Sequence, residues 1–199
     1  MRRRSVLILK KILGVKVPVR QEVLLRMPKG SICAEIGVYK GDFSEMILEI
    51  TKPRRLHLID PWIYQSDATY QQALYGGASK GQAEMDAIYD HVCKRFKKEL
   101  ASGRIVIHRM PSDVAADYFP NNYFDWIYID GNHLYEYVKK DLELYYPKVK
   151  PGGWITGDDY GVKGWWNNGV QRAVDEFAQN QKLKLEIIEN QFIVYKPES

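Results

Sequence analysis

Acidic residues stand at the ends of four short apolar runs. Glu35 lies in the run at residues 31–36, Asp60 follows residues 55–59, Asp130 follows residues 124–129, and Asp158 and Asp159 close the run that begins at residue 154. If those runs are neighbouring parallel strands, the acids face one cleft, because open α/β sheets bind ligands beyond the carboxyl ends of their strands. Strands lie ~4.8 Å apart, so Asp130, Asp158 and Asp159 would repel one another unless a proton or a cation came between them. All-oxygen ligation suits Mg²⁺ first, with Ca²⁺ or Mn²⁺ as substitutes. A metal there would bind a substrate hydroxyl, lower its pKa and orient it. In the competing assignment Asp159 braces a loop and Asp158 faces water.

The first run leads into Glu35-Ile36-Gly37-Val38-Tyr39-Lys40-Gly41. Two glycines let the backbone turn tightly and approach a ligand. The spacing ExGxxxG is not the GxGxxG of a dinucleotide site, and an acid beside the first glycine suits a cationic ligand. Asp60 could accept hydrogen bonds from a ribose diol. Ser112, after the third run, could meet an adenine edge. The alternative role for Glu35, Asp60 and Ser112 is capping. His133 stands at a helix start, where the helix dipole disfavours imidazolium and so keeps a neutral general base available. Asp130 is the rival base. Trp62, Tyr64, Tyr70 and Tyr75 on one side, and Tyr160, Trp165 and Trp166 on the other, offer aromatic faces to a ring-shaped substrate; ordinary packing explains them equally well.

These residues need a frame. Residues 31–36, 55–59, 104–108, 124–129 and 154–156 read as buried strands, and residues 183–188 and 191–195 as a closing antiparallel hairpin. Helical spacing links Phe43, Met46, Ile47 and Ile50; Met85, Ile88, Val92 and Phe96; Leu134, Val138, Leu142 and Tyr145; and Val170, Ala173, Val174 and Phe177. Pro151-Gly152-Gly153 reads as a turn before the fifth strand. Alternation of strand and helix predicts a mostly parallel sheet with helices on both faces.

At 199 residues with 45% hydrophobic content, the chain fits one domain with a full core. We expect a basic N-terminal arm and helix over residues 1–29 and a single domain over residues 30–199. Net charge is only +4, and much of the excess lies in Arg2, Arg3, Arg4, Lys10, Lys11, Lys16 and Arg20. We read that run as a solvated arm; phosphate or an anionic surface would be its partner otherwise. Cys33 and Cys93 show no metal spacing. No apolar run reaches transmembrane length, and we expect a cytoplasmic protein.

Glu35-x-Gly37-x-x-x-Gly41, His57-Leu58-Ile59-Asp60-Pro61-Trp62, Tyr128-Ile129-Asp130-Gly131-Asn132-His133, Pro151-Gly152-Gly153 and Gly157-Asp158-Asp159-Tyr160 together resemble class I S-adenosylmethionine (SAM) dependent methyltransferases. More narrowly they resemble the methyltransferase-domain group that includes macrocin-type sugar O-methyltransferases. The resemblance runs from about Gly30 to the C-terminus. It implies a Rossmann-like seven-stranded sandwich with a C-terminal antiparallel hairpin. It implies SAM as donor and S-adenosylhomocysteine as product, held by Glu35, Gly37, Gly41, Asp60, Ser112 and Asp130. Metal-using relatives place acids where Asp130, Asp158 and Asp159 stand; many others have histidine in place of Asp158. It implies a small-molecule or glycan hydroxyl as acceptor, with Trp62, Tyr64 and Tyr160 as candidate contacts, and it allows a homodimer. A nucleic-acid acceptor is the rival, but the fourth strand ends in Asp-Gly-Asn-His without the Pro-Pro segment of many base methyltransferases. A non-catalytic SAM-binding protein is the other.

Overall fold

A computed structural model describes residues 17–198. Arg2, Arg3, Arg4, Lys10, Lys11 and Lys16 lie outside the described residues. The elements are α1 (Val19–Arg26), β1 (Ile32–Ile36), α2 (Asp42–Thr51), β2 (Arg55–Ile59), a 3₁₀ turn (Ala68–Tyr70), α3 (Gln82–Arg95), α4 (Lys97–Ala101), β3 (Ile105–His108), α5 (Ser112–Ala116), β4 (Phe124–Ile129), α6 (Tyr135–Tyr145), β5 (Val149–Gly157), α7 (Gly169–Asn180), β6 (Lys184–Ile188) and β7 (Gln191–Tyr195).

The sheet order is β3-β2-β1-β4-β5-β7-β6. The first five strands are parallel. β7 runs antiparallel between β5 and β6, so the predicted hairpin closes the sheet with β6 at its edge. The order reverses between β1 and β4, and the crevice at such a switch point is where an open α/β sheet takes its ligand.

Both sheet faces are covered. Ala34, Ile36, Ile127 and Ile129 pack beneath Val138, Leu142, Val170, Val174 and Phe177 of α6 and α7. Cys33, Leu56, Leu58, Trp126 and Tyr128 pack on the other face beneath Val23, Leu24 and Met27, Ile47 of α2, and Met85 and Val92 of α3. Successive strand side chains point to opposite faces, which is why these strands read as continuous apolar runs.

Two expectations change. Pro151-Gly152-Gly153 is not a turn ahead of the strand but a bulge inside it. β5 passes from Val149 to Trp154 while β4 advances only from Phe124 to Trp126, and Gly152 takes a positive φ of 74° as its N–H donates to Lys196 O. The residues from Val19 onward are not part of a solvated arm. Val23, Leu24 and Met27 are fully buried in the core, so residues 19–29 pack with the domain.

Candidate active site

At the switch point β1 and β4 exit side by side. Asp130 donates its backbone N–H to Ile36 O (2.7 Å) and Gly37 donates to Ile59 O (2.9 Å). Gly37 has φ +88°, and a Cβ there would lie 2.1 Å from the carbonyl oxygen of Asp130. Only glycine fits where the two exits meet. Gly41, in the left-handed conformation at φ 80°, opens α2.

The acids of β1 and of the β2 end are held by neutral groups. Asp60 is 1% exposed. Its Oδ2 accepts from the N–H groups of Val38 (2.8 Å) and Tyr39 (3.0 Å) and from the Tyr75 hydroxyl (2.5 Å), and its Oδ1 accepts from Trp62 N–H (2.8 Å). Burial pushes its pKa up, against the pull of those hydrogen bonds. Glu35 points to the α2 face of the sheet and accepts from the Ser44 hydroxyl (2.5 Å). Burial raises its pKa well above the ordinary carboxylate range. The carboxyl expected to face a cationic ligand therefore faces α2. Ser112, expected at an adenine edge, donates its hydroxyl to Asp141 (2.5 Å) instead.

At the ends of β4 and β5 the acids meet Arg20 and His133 instead. Asp130 Oδ2 lies 2.9 Å from the Arg20 guanidinium, whose same nitrogen also contacts Asp158 Oδ2. Asp158 is 4% exposed, and its Oδ1 accepts from Asp159 N–H (2.7 Å), Asn190 Nδ2 (2.5 Å) and Gln191 Nε2. Asp159 takes a positive φ of 59°, which turns the chain away from β5. His133 lies between two acids, with Nε2 3.5 Å from Asp130 Oδ1 and Nδ1 3.4 Å from Asp159 Oδ2. Burial opposes a charge on the ring, but Asp130 and Asp159 outweigh it and raise the pKa. The flanking carboxylates thus act against the helix start, which was expected to disfavour the imidazolium. Its Nε2 is buried with no hydrogen-bond partner among the described residues, and so is Trp166 Nε1.

The expected metal set does not fit. Asp158 is saturated by its own chain, and Arg20 already sits on Asp130 and Asp158. The group whose ligand atoms do converge, within 4.8 Å, is Asp130, His133 and Asp159.

The aromatic wall is also rearranged. Trp62 is fully buried; its indole N–H donates to Tyr39 O (2.9 Å) and its ring packs on Tyr89 at 5.2 Å. It offers no face to a substrate. Tyr64 is half-buried against the core, and the Tyr160 hydroxyl donates to Asp175 (2.8 Å). Tyr70 is the residue that reaches across. Its hydroxyl accepts from Asn132 Nδ2 (2.9 Å), and its ring meets Trp165 at 5.4 Å. Trp166 in turn meets His133 at 4.8 Å. The insertions before α3 and before α7 thus close over the ends of β4 and β5.

Sequence reasoning missed Arg20. A signal existed: Val23, Leu24 and Met27 follow it at helical spacing, which marks a packed helix rather than a loose arm.

Residues 34–160 match the family model described as methyltransferase domain. An uncharacterized protein, R132, of Acanthamoeba polyphaga mimivirus is 30% identical over 144 residues, 72% of this chain and 58% of that protein. The chain thus spans somewhat over half the length of this relative. Among solved structures, the O-methyltransferase NovP is 20% identical with a TM-score of 0.59, covering 90% of this chain and 76% of its own. The O-methyltransferase TomG of Streptomyces achromogenes, solved with SAM, is 15% identical with a TM-score of 0.59, covering 91% and 78%. Among the described residues no helix is long and apolar enough to cross a membrane. A sheet of this order, a glycine exit packed on Asp130 and a family match over most of the sheet give one conclusion: the chain belongs to the methyltransferase-domain family and has the fold of class I SAM-dependent methyltransferases.

Proposed function

We propose that the chain transfers the methyl group of SAM to a hydroxyl of a sugar, glycan or small natural product. One observation carries the reading. Gly37, with no room for a Cβ, lies against the backbone of Asp130, and Asp130 is the residue that the Arg20 and His133 side chains engage. The cradle for a donor and the group able to take a proton therefore share one peptide.

Gly37, the α2 N-terminus opened by Gly41, and Asp60 are the residues that would hold SAM. The negative surroundings suit its sulfonium and ammonium charges. The Tyr75 hydroxyl caps Asp60 Oδ2, so a ribose hydroxyl would exchange with a phenol of the same hydrogen-bonding kind. Bound there, SAM supplies a methyl group on a sulfonium that is already a good leaving group.

The protein's tasks are positioning and proton management. Positioning contributes up to ~7–11 kcal/mol in favourable cases. The acceptor oxygen forms a bond to the methyl carbon, the carbon–sulfur bond breaks with its electrons left on sulfur, and the hydroxyl proton passes to the His133–Asp130 group. His133 lies between Asp130 and Asp159, an arrangement that stabilises the imidazolium formed when the proton arrives. The Tyr70, Trp165 and Trp166 rings give an apolar wall next to His133 for a ring-shaped acceptor. A divalent ion on Asp130, Asp158 and Asp159 has no part in this reading.

Titration calorimetry with SAM and S-adenosylhomocysteine tests the reading. Micromolar binding of both is expected, followed by turnover in a screen of hydroxylated sugars. His133→Ala should lower turnover by roughly 10²–10⁴-fold and leave the S-adenosylhomocysteine affinity within about twofold. No binding of either ligand to folded protein refutes the proposal; unchanged turnover removes His133 from it.

A further inference from the structure

We infer that Arg20 is the resident cation of the acceptor site, standing between Asp130 and Asp158 where a divalent ion would otherwise be needed. The assignment of these carboxylates to an acceptor site rests on the methyltransferase reading above; the exclusion of a metal from them does not.

The guanidinium contacts Oδ2 of both carboxylates. A single guanidinium nitrogen, Nη2, makes both contacts, and its charge is not lost by deprotonation. The other oxygen of Asp158 is in use, because Oδ1 takes Asp159 N–H, Asn190 Nδ2 and Gln191 Nε2. A Mg²⁺ or Mn²⁺ ion bridging Asp130 and Asp158 would need oxygens at ~2.0–2.2 Å. It would stand within a few ångströms of a like charge that cannot deprotonate.

For the ion to enter, the Arg20 side chain would have to give up its present contacts, and its backbone is held in place. Its guanidinium lies over the Phe43 ring at 5.2 Å. Its helix is pinned on one side by the buried Val23, Leu24 and Met27. On the other side Arg26 bonds Glu186 of β6 at 2.5 Å. Swinging the guanidinium out would cost its contacts with Asp130, Asp158 and Phe43. The N-terminal helix therefore completes the catalytic cleft of a sheet that begins after it. The fixed charge offsets the repulsion between Asp130 and Asp158 and leaves Asp130 Oδ1 directed to His133.

The experiment is a Mn²⁺ titration followed by electron paramagnetic resonance, on the full chain and on Arg20→Ala and Arg20→Gln, with the Tm of each. Wild type should leave millimolar Mn²⁺ free. The variants should melt lower and gain one Mn²⁺ site, with a Kd at least about tenfold below that of wild type, and added Mn²⁺ should raise their Tm. Arg20→Gln keeps a hydrogen-bonding stem if Arg20→Ala does not fold. Stoichiometric Mn²⁺ on wild type that Asp158→Asn or His133→Ala abolishes overturns the inference. So do folded variants that gain no site and melt like wild type. S-adenosylhomocysteine calorimetry on the same samples separates the two readings: lost donor binding sinks the methyltransferase proposal while the Mn²⁺ result still judges Arg20.

Discussion

The acids of β1 and β2 and those at the ends of β4 and β5 are neutralised differently. Asp60 takes three backbone N–H groups and a phenol, and Glu35 takes a hydroxyl. Asp130 and Asp158 take a guanidinium, and Asp130 and Asp159 flank an imidazole. Backbone donors are fixed by the fold and cost no side-chain ordering. Ion pairs between side chains depend on both partners, and removing one leaves the other buried and uncompensated. The donor half is thus a property of the local chain around the β1 and β2 exits. The acceptor half is assembled from elements far apart in sequence, α1 and the loop that follows β4.

The widest difference should come from breaking the acceptor half. Asp158→Ala leaves the Asn190 and Gln191 amides without their shared acceptor and Arg20 with Asp130 alone, and should cost roughly 3–5 kcal/mol, a Tm loss of roughly 6–20 °C for a chain of this size. Thermal melts check it, and a loss of only a degree or two would mean that Arg20 is not held there. The matching change on the donor half is Asp60→Asn. A hydrogen bond to a charged acceptor is worth about 1.5–3 kcal/mol, so S-adenosylhomocysteine should bind at least about tenfold more weakly by calorimetry. If affinity holds, the backbone cradle rather than the carboxylate recognises the donor.

Asp141 gives the smallest and sharpest comparison, a buried acid given neither amides nor a cation. Burial raises its pKa from 3.8 to about 7, with only the Ser112 hydroxyl bond opposing strongly. The folded state therefore holds the proton more tightly than the unfolded one. Its stabilising contribution is present below about pH 4 and is lost as pH rises toward about 7. Asp141→Asn should flatten that decline and raise Tm by roughly a few degrees above pH 7. An unchanged pH profile would show that Asp141 finds a compensating partner in solution.

Much of the frame was legible from pattern. β2, β4 and β7 fall at residues 55–59, 124–129 and 191–195 as read from their apolar runs, because strands buried on both faces are predominantly apolar. The bulge in β5 was not legible, since Pro151-Gly152-Gly153 carries the same local signal whether it ends a strand or bends one. Among the site residues, the positions at strand ends were readable and the partners were not. Asp60, Asp130 and Asp158 stand where the sequence places them, yet Arg20, Asn190 and Gln191 lie far along the chain from the acids they hold.

Sequence alone determined that this is a mostly parallel α/β sheet whose strand ends gather acids around a glycine exit. Periodicity and turn chemistry are local, and each strand end follows from the run before it. Only the tertiary structure decided what each acid meets. Trp62 became core rather than wall, Glu35 turned to α2, and a cation was supplied by Arg20 on a helix that reads as the end of a basic arm. Charge compensation is set by which side chains are brought within a few ångströms, and no local pattern records that distance.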